Sequence, residues 1–202
     1  MERSPNSPRH LFAAPAFSVC VAAGIVISFG AYGTLFVESI HLQNVQHLSA
    51  LTTGLMMVPF TVAPTVTTRA IDRFDGGMHF KTRLFIGNLA AAVGAVMLAL
   101  SLRAGGYAMI EVGLALLGIA LGYITPAMTT GVLASSPAET SGVASGILNA
   151  GRQVGASLGV ALMGTLVGTL GGRGSFASFA IMGLLFAGTS VVVDRVIPAA
   201  RV

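Results

Sequence analysis

The chain has 202 residues, of which 54% are hydrophobic and 9% charged, and its mean hydropathy is +0.84. A soluble domain carries about 25% charged residues. Too few charges are present here to cover a water-exposed surface, which excludes a soluble enzyme and a disordered chain alike. The net charge of +4 is spread between apolar blocks and not clustered on one face, which argues for membrane flanks and against a nucleic-acid partner.

In chain order the sequence predicts a cytoplasmic tail over residues 1–12. Six transmembrane helices follow, over about 13–37, 49–68, 84–102, 107–134, 142–170 and 176–193, and a second cytoplasmic tail over 194–202. A membrane span needs roughly 20 mostly apolar residues. Helix is the expected type, because an apolar segment in lipid must satisfy its own backbone, and these blocks are about twice the length of a barrel strand. The fold class is therefore an all-α membrane protein. Block one follows Arg3 and Arg9, as a signal peptide would, but runs well past a signal core of about 7–15 residues and reads as a retained span.

The loops set the orientation. Arg3, Arg9, Arg69, Arg73, Lys81, Arg83, Arg195 and Arg201 fall on one side, and Arg103 and Arg173 on the other. The positive-inside rule puts both termini in the cytoplasm of a multi-pass protein of the cell (inner) membrane, with the lipid bilayer as its first partner. Small residues recur four apart in the fifth block, as Gly142, Gly146, Ala150, then Gly151, Gly155, Gly159, then Gly164, Gly168, Gly172; Gly118 and Gly122 repeat this in the fourth. Such spacing lets helix backbones approach closely in lipid. Pro59 and Pro64 in the second block and Pro126 in the fourth each remove a backbone hydrogen bond.

The residues from Gly113 to Thr165 carry a resemblance. They hold a Gly-rich helix ending near Pro126 and Thr129-Thr130, a short loop with Pro137, Glu139 and Ser141-Gly142, and Asn149-x-x-Arg152-Gln153-x-Gly155. With Arg69-Ala-Ile-Asp72-Arg73-Phe74, this resembles the late helices of the major facilitator superfamily, in particular its 14-span drug:proton antiporters. Asp75 stands where that family usually has Gly. The resemblance implies a six-helix half-bundle of the facilitator fold. It implies a secondary transporter, with proton-coupled efflux of drugs or other hydrophobic small molecules driven by a proton gradient and no cofactor. The matching region is C-terminal in that family, so the expected partner is a missing N-terminal half-bundle or a second copy. The alternative is an inactive or partner-dependent half with a packing role.

Arg152 lies about ten residues into its span, near mid-bilayer by the helical rise. A charge there costs a few kcal/mol and should face the bundle interior or a wet cavity. It is either a buried clamp or part of a substrate path, with Asn149 and Gln153 beside it. Tyr32 and Tyr123 are polar-tipped aromatics within spans; Phe29, Tyr32 and Phe36 share a face that suits a drug path or plain packing. Glu111 reads as the acidic residue clearly inside a span, about one turn in, and is the proton-coupling candidate; an interfacial carboxylate is the other reading. Arg69, Asp72 and Arg73 are expected in the cytoplasmic loop after the second span, as an ion-pair gate that the resemblance implies, or as simple flanking charges.

Other classes find little support. An intramembrane serine protease needs a histidine base at depth, and His10, His41, His47 and His79 all fall in loops or flanks. A channel needs a filter loop or a ring of charges. Metal and nucleotide sites lack their ligand spacings. The sequence thus reads as a transporter and not an enzyme.

Overall fold

The structure is a computed structural model that describes residues 8–74, 77–104 and 106–198. After a short 3-10 turn, helices α1 (Pro15–Ile40), α2 (Ala50–Met56), α3 (Val58–Phe74), α4 (Phe80–Ala104), α5 (Tyr107–Ala134), α6 (Ser141–Leu170) and α7 (Gly172–Val196) follow. The π-helical turn His41–Val45 prolongs α1. Among the described residues six stretches are long and apolar enough to cross a membrane: Pro15–Val45, Ala50–Phe74, Phe80–Arg103, Tyr107–Ala134, Ala138–Leu170 and Gly172–Val196.

Local chemistry sets the helix ends. Pro15 opens α1, where its missing N–H costs nothing. Ser49 caps α2, its hydroxyl accepting from the Thr52 amide at 3.2 Å. The second span then breaks at Met57, and Pro59 stands at the second position of α3 instead of inside a continuous helix. Gly171 joins α6 to α7 alone, at φ 56° and ψ −131°, a conformation closed to residues with a Cβ.

Several helices outrun the apolar blocks that predict them. α1 and its π turn continue to Val45, α3 to Phe74, and α4 begins at Phe80. Arg69, Asp72 and Arg73 therefore sit on the last turns of α3, where a loop was expected. Hydropathy marks where the bilayer ends, but a helix persists in water until something breaks its ladder. Gly77, at φ 103°, provides such a break. Asp75, Arg3 and Arg201 lie outside the described residues.

Helix pairs form around glycine. α1 packs chiefly on α6, and α4 is held between α5 and α7. A Cβ on Gly155 or Gly159 would run into the backbone carbonyls of Ile25 and Phe29, so α1 and α6 touch backbone to backbone. α4 and α5 cross at Gly94 and Gly113, where a Cβ on either would lie 3.0 or 3.1 Å from the other's carbonyl oxygen. A Cβ on Gly142, Gly146, Gly168 or Gly172 would meet nothing within 4 Å among the described residues. Phe17, Ile27, Leu84, Leu98, Leu114, Leu117, Ile124, Met128, Phe179 and Phe186 fill the fully buried core.

The N-terminus of α4 is tied to the C-terminus of α7. Lys81 Nζ donates to the Asp194 carbonyl oxygen at 2.8 Å and lies 3.3 Å from its Oδ1. This end of the bundle also holds Arg69, Arg73, Arg83 and Arg195 and is called the basic end below. The second and fifth spans are the least buried of the six, and the site lies along them.

Candidate functional site

α3 and α5 meet where proline has freed carbonyls. Pro64 has no N–H for Phe60, four residues back. The Phe60 carbonyl instead faces Gly118, where a Cβ would lie 2.8 Å from it. Pro126 likewise leaves the Gly122 carbonyl without its helical donor. Thr68 of α3 fills that role, its hydroxyl donating to Gly122 O at 3.3 Å. The two helices thus hold each other through the groups that their prolines release.

Beside this contact runs a cleft of about 750 Å³ near the basic end, lined by Pro64, Thr65, Thr68, Arg69, Thr125 and Pro126, with Thr129 and Thr130 beyond. Five threonine hydroxyls and one guanidinium in an otherwise apolar wall can orient a mostly apolar guest through a few polar contacts. Thr65, Thr68 and Arg69 share a face of α3 at i, i+3 and i+4 spacing, and Thr125 and Thr129 share a face of α5. Thr129 Oγ1 is engaged with the Thr125 carbonyl at 3.0 Å.

A second polar surface runs along α6. Ser145, Asn149, Gln153 and Ser157 follow one another four residues apart, and all are exposed. At membrane depth such groups are covered by protein or line water, not lipid. Arg152 lies beside this ridge, half-buried. Its Cγ is 3.3 Å from the Cβ position of Gly24, in company with Leu148 and Met128. Thus the stem of Arg152 packs against α1 because Gly24 leaves it room, and Met128 precedes Thr129 of the cleft. Arg152 Nε is buried without a hydrogen-bond partner among the described residues. The ion pair described is Lys81–Asp194, so no described carboxylate clamps Arg152.

The other expected residues are dispersed. Tyr123 is half-buried and lines a separate crevice of about 390 Å³ with Thr67, Ile71 and Phe74. Tyr32 is exposed on α1, and Glu111 is half-buried near the start of α5. Arg69 lines the cleft. Asp72 and Arg73 are exposed and unpaired with each other; the Arg73 guanidinium instead lies 5.9 Å from the Phe74 ring centre.

Two expectations need correction. Glu111 is not alone as an acidic residue inside a span, because Glu38 lies within α1 and is fully buried. His41 belongs to the π-helical prolongation of α1 and not to a loop. Both follow from α1 continuing past the apolar block that ends at Val37. The cleft threonines were also missed, apart from Thr129 and Thr130, because threonine carries little hydropathic signal and only the α3–α5 pairing gathers them.

The comparisons with known proteins agree with this architecture. The family model of the Major Facilitator Superfamily matches residues 2–160. Multidrug resistance protein Stp of Mycobacterium tuberculosis is 29% identical over 148 residues, covering 72% of this chain and 27% of that protein. Multidrug efflux pump LfrA of Mycolicibacterium smegmatis is 30% identical over 135 residues, covering 67% of this chain and 27% of that protein. The tetracenomycin C resistance and export protein of Streptomyces glaucescens is 28% identical over 144 residues, covering 69% of this chain and 26% of its own. The chain spans about a quarter of the length of these curated relatives. With six helices able to span a bilayer and a family match over most of its length, the chain is a multi-pass membrane protein that belongs to the Major Facilitator Superfamily.

Proposed function

We propose that this chain forms part of a secondary active exporter that moves drugs or other hydrophobic small molecules out of the cell in exchange for protons. The reading draws drug export from the relatives' names, proton coupling from the resemblance to drug:proton antiporters and its residues from the site. The observation that carries it is the exposed polar ridge of α6 with Arg152 beside it, in the middle of a membrane-spanning helix. Polar surface at that depth belongs to a path or to an interface. The threonine cleft with Arg69 is the second wall of that path, placed to admit substrate at the basic end. That end faces the cytoplasm of the inner membrane by the charge bias, which also puts both termini there.

An uncovered polar ridge also calls for a second six-helix body, either an N-terminal half-bundle or another copy. The partner-dependent reading rests on this same ridge: without a cover, the chain folds but transports nothing. Energy comes from the proton gradient, with no cofactor. The test is Arg152→Ala in the protein as its own cell makes it. Efflux of a lipophilic cation such as ethidium should be lost, while the amount of protein in the membrane is unchanged. Wild-type efflux by that variant contradicts the assignment of the path.

A further inference from the structure

We propose that Glu38, buried three residues before His41 at the end of the bundle opposite Lys81, is the site where this protein takes up and releases the proton exchanged during transport. This rests on the proton-coupled reading above and names the group that serves it.

The geometry is that of a carboxyl group closed in without a partner. Glu38 is 0% exposed, and neither Oε1 nor Oε2 has a hydrogen-bond partner among the described residues. His41 shares its face at i+3, and the His41 Nδ1 is likewise buried and unbonded. Gln46 Nε2 lies 3.1 Å from His41 Nε2. The Gln46 Oε1 is buried and unbonded as well. Buried polar atoms without partners are rare and call for a reason; here four fall within nine residues of chain.

An ionised carboxylate in this position lacks a compensating charge, and leaving one buried alone costs several kcal/mol. The closed arrangement therefore holds the acid form, and ionisation requires an opening to water. A cavity of about 390 Å³ at this end is lined by His41, Val45, Leu102, Arg103, Arg173 and Phe176, with Gly172. The Arg103 guanidinium sits 4.5 Å above the Phe176 ring and so stands at the cavity wall. The charged and titratable groups at this end are His41 on its own element, His47 in the connector after it, Arg103 closing α4, Tyr107 and Glu111 opening α5, and Arg173 opening α7; α6 has none beyond Arg152. The two arginines favour a carboxylate once it meets the cavity, whereas inside the closed bundle they form no ion pair with it. The step is a simple one: the Glu38 carboxylate and one proton from cavity water give the neutral acid, and the same O–H bond breaks on release. His41, one turn on from Glu38, lines the cavity and sits on a π turn, a helix type that recurs at functional sites.

The test uses the protein as its cell makes it, purified into liposomes that enclose a pH dye, with ethidium as the probe. Glu38→Gln should cut ethidium-evoked proton movement by about ten-fold or more while ethidium–ethidium exchange stays within about two-fold; Glu38→Asp should restore most of the proton movement. Full proton movement by Glu38→Gln overturns the proposal. A second measurement does not depend on that variant folding or on transport. A hydrophobic carbodiimide adds to protonated carboxyls in apolar surroundings, and mass mapping of the wild-type protein treated at neutral pH should find the adduct on Glu38. An unmodified Glu38 overturns the proposal. Absence of any proton movement in the wild-type protein defeats the efflux reading instead, and the adduct then decides Glu38 on its own.

Discussion

The glycines of α6 divide into two classes that sequence spacing alone does not separate, and substitution by alanine should tell them apart. At Gly159 an added Cβ would lie 2.9 Å from the Phe29 carbonyl carbon and 3.0 Å from its Cα, with the oxygen nearer still. Carbon contacts are most favourable at about 3.5–4.0 Å, so α1 must retreat by roughly half an ångström or more. The atoms in the way are backbone, so no side chain can swing aside. A gap of about 0.5–1 Å forfeits a quarter to a half of each dispersion contact along the seam, and overpacking costs about 1–3 kcal/mol in well-packed interiors. At Gly146 and Gly168 an added Cβ would have nothing within 4 Å among the described residues, and alanine there gains about 1 kcal/mol of helix propensity. Gly155→Ala and Gly159→Ala should therefore lower the melting temperature of the purified protein by several degrees, at about 2–4 °C per kcal/mol for a chain of this size. Gly146→Ala and Gly168→Ala should leave it unchanged or raise it. Equal melting temperatures for Gly159→Ala and Gly168→Ala would refute the α1–α6 seam.

Three further outcomes follow from single contacts. Thr68→Val removes the donor to the Gly122 carbonyl that Pro126 leaves free; it should cost about 1 kcal/mol, and in a Pro126→Ala background, where the helix supplies its own donor, the cost should nearly vanish in a thermal-melt mutant cycle. Lys81 reaches the Asp194 carbonyl oxygen more closely than its carboxylate, so Lys81→Met should lower the melting temperature while Asp194→Asn changes it little; the reverse order would make the ion pair the main contact. Arg152→Ala should abolish ethidium efflux with membrane insertion intact, as read by whole-cell fluorescence and membrane immunoblot.

The six spans were legible because burial in lipid leaves little choice: long apolar runs must be helices. Their ends were not, because Arg69, Asp72 and Arg73 look like a loop by charge and yet continue α3 to Phe74. The same limit hid Glu38. It stands one residue past the apolar block, so hydropathy assigns it to water, whereas the prolongation of α1 through the π turn buries it. The polar spacing of Asn149, Arg152 and Gln153 was plain, but not that Gly24 makes room for the arginine stem. Glycine spacing revealed close packing in α6 without naming the partner helix. Gly155 and Gly159 meet α1, while a Cβ on Gly142 or Gly146 would have nothing within 4 Å among the described residues. The cleft threonines on α3 and α5 lie some sixty residues apart in sequence, and only the pairing around Pro64 and Pro126 brings them together.

The most direct test of the account is ethidium movement in inside-out membrane vesicles from cells with and without the gene, energised to acidify the vesicle interior. The account predicts that vesicles carrying the protein take up ethidium faster than those lacking it, and that a protonophore abolishes the difference. Uptake that is the same with and without the protein, or a difference that survives the protonophore, would contradict proton-driven export.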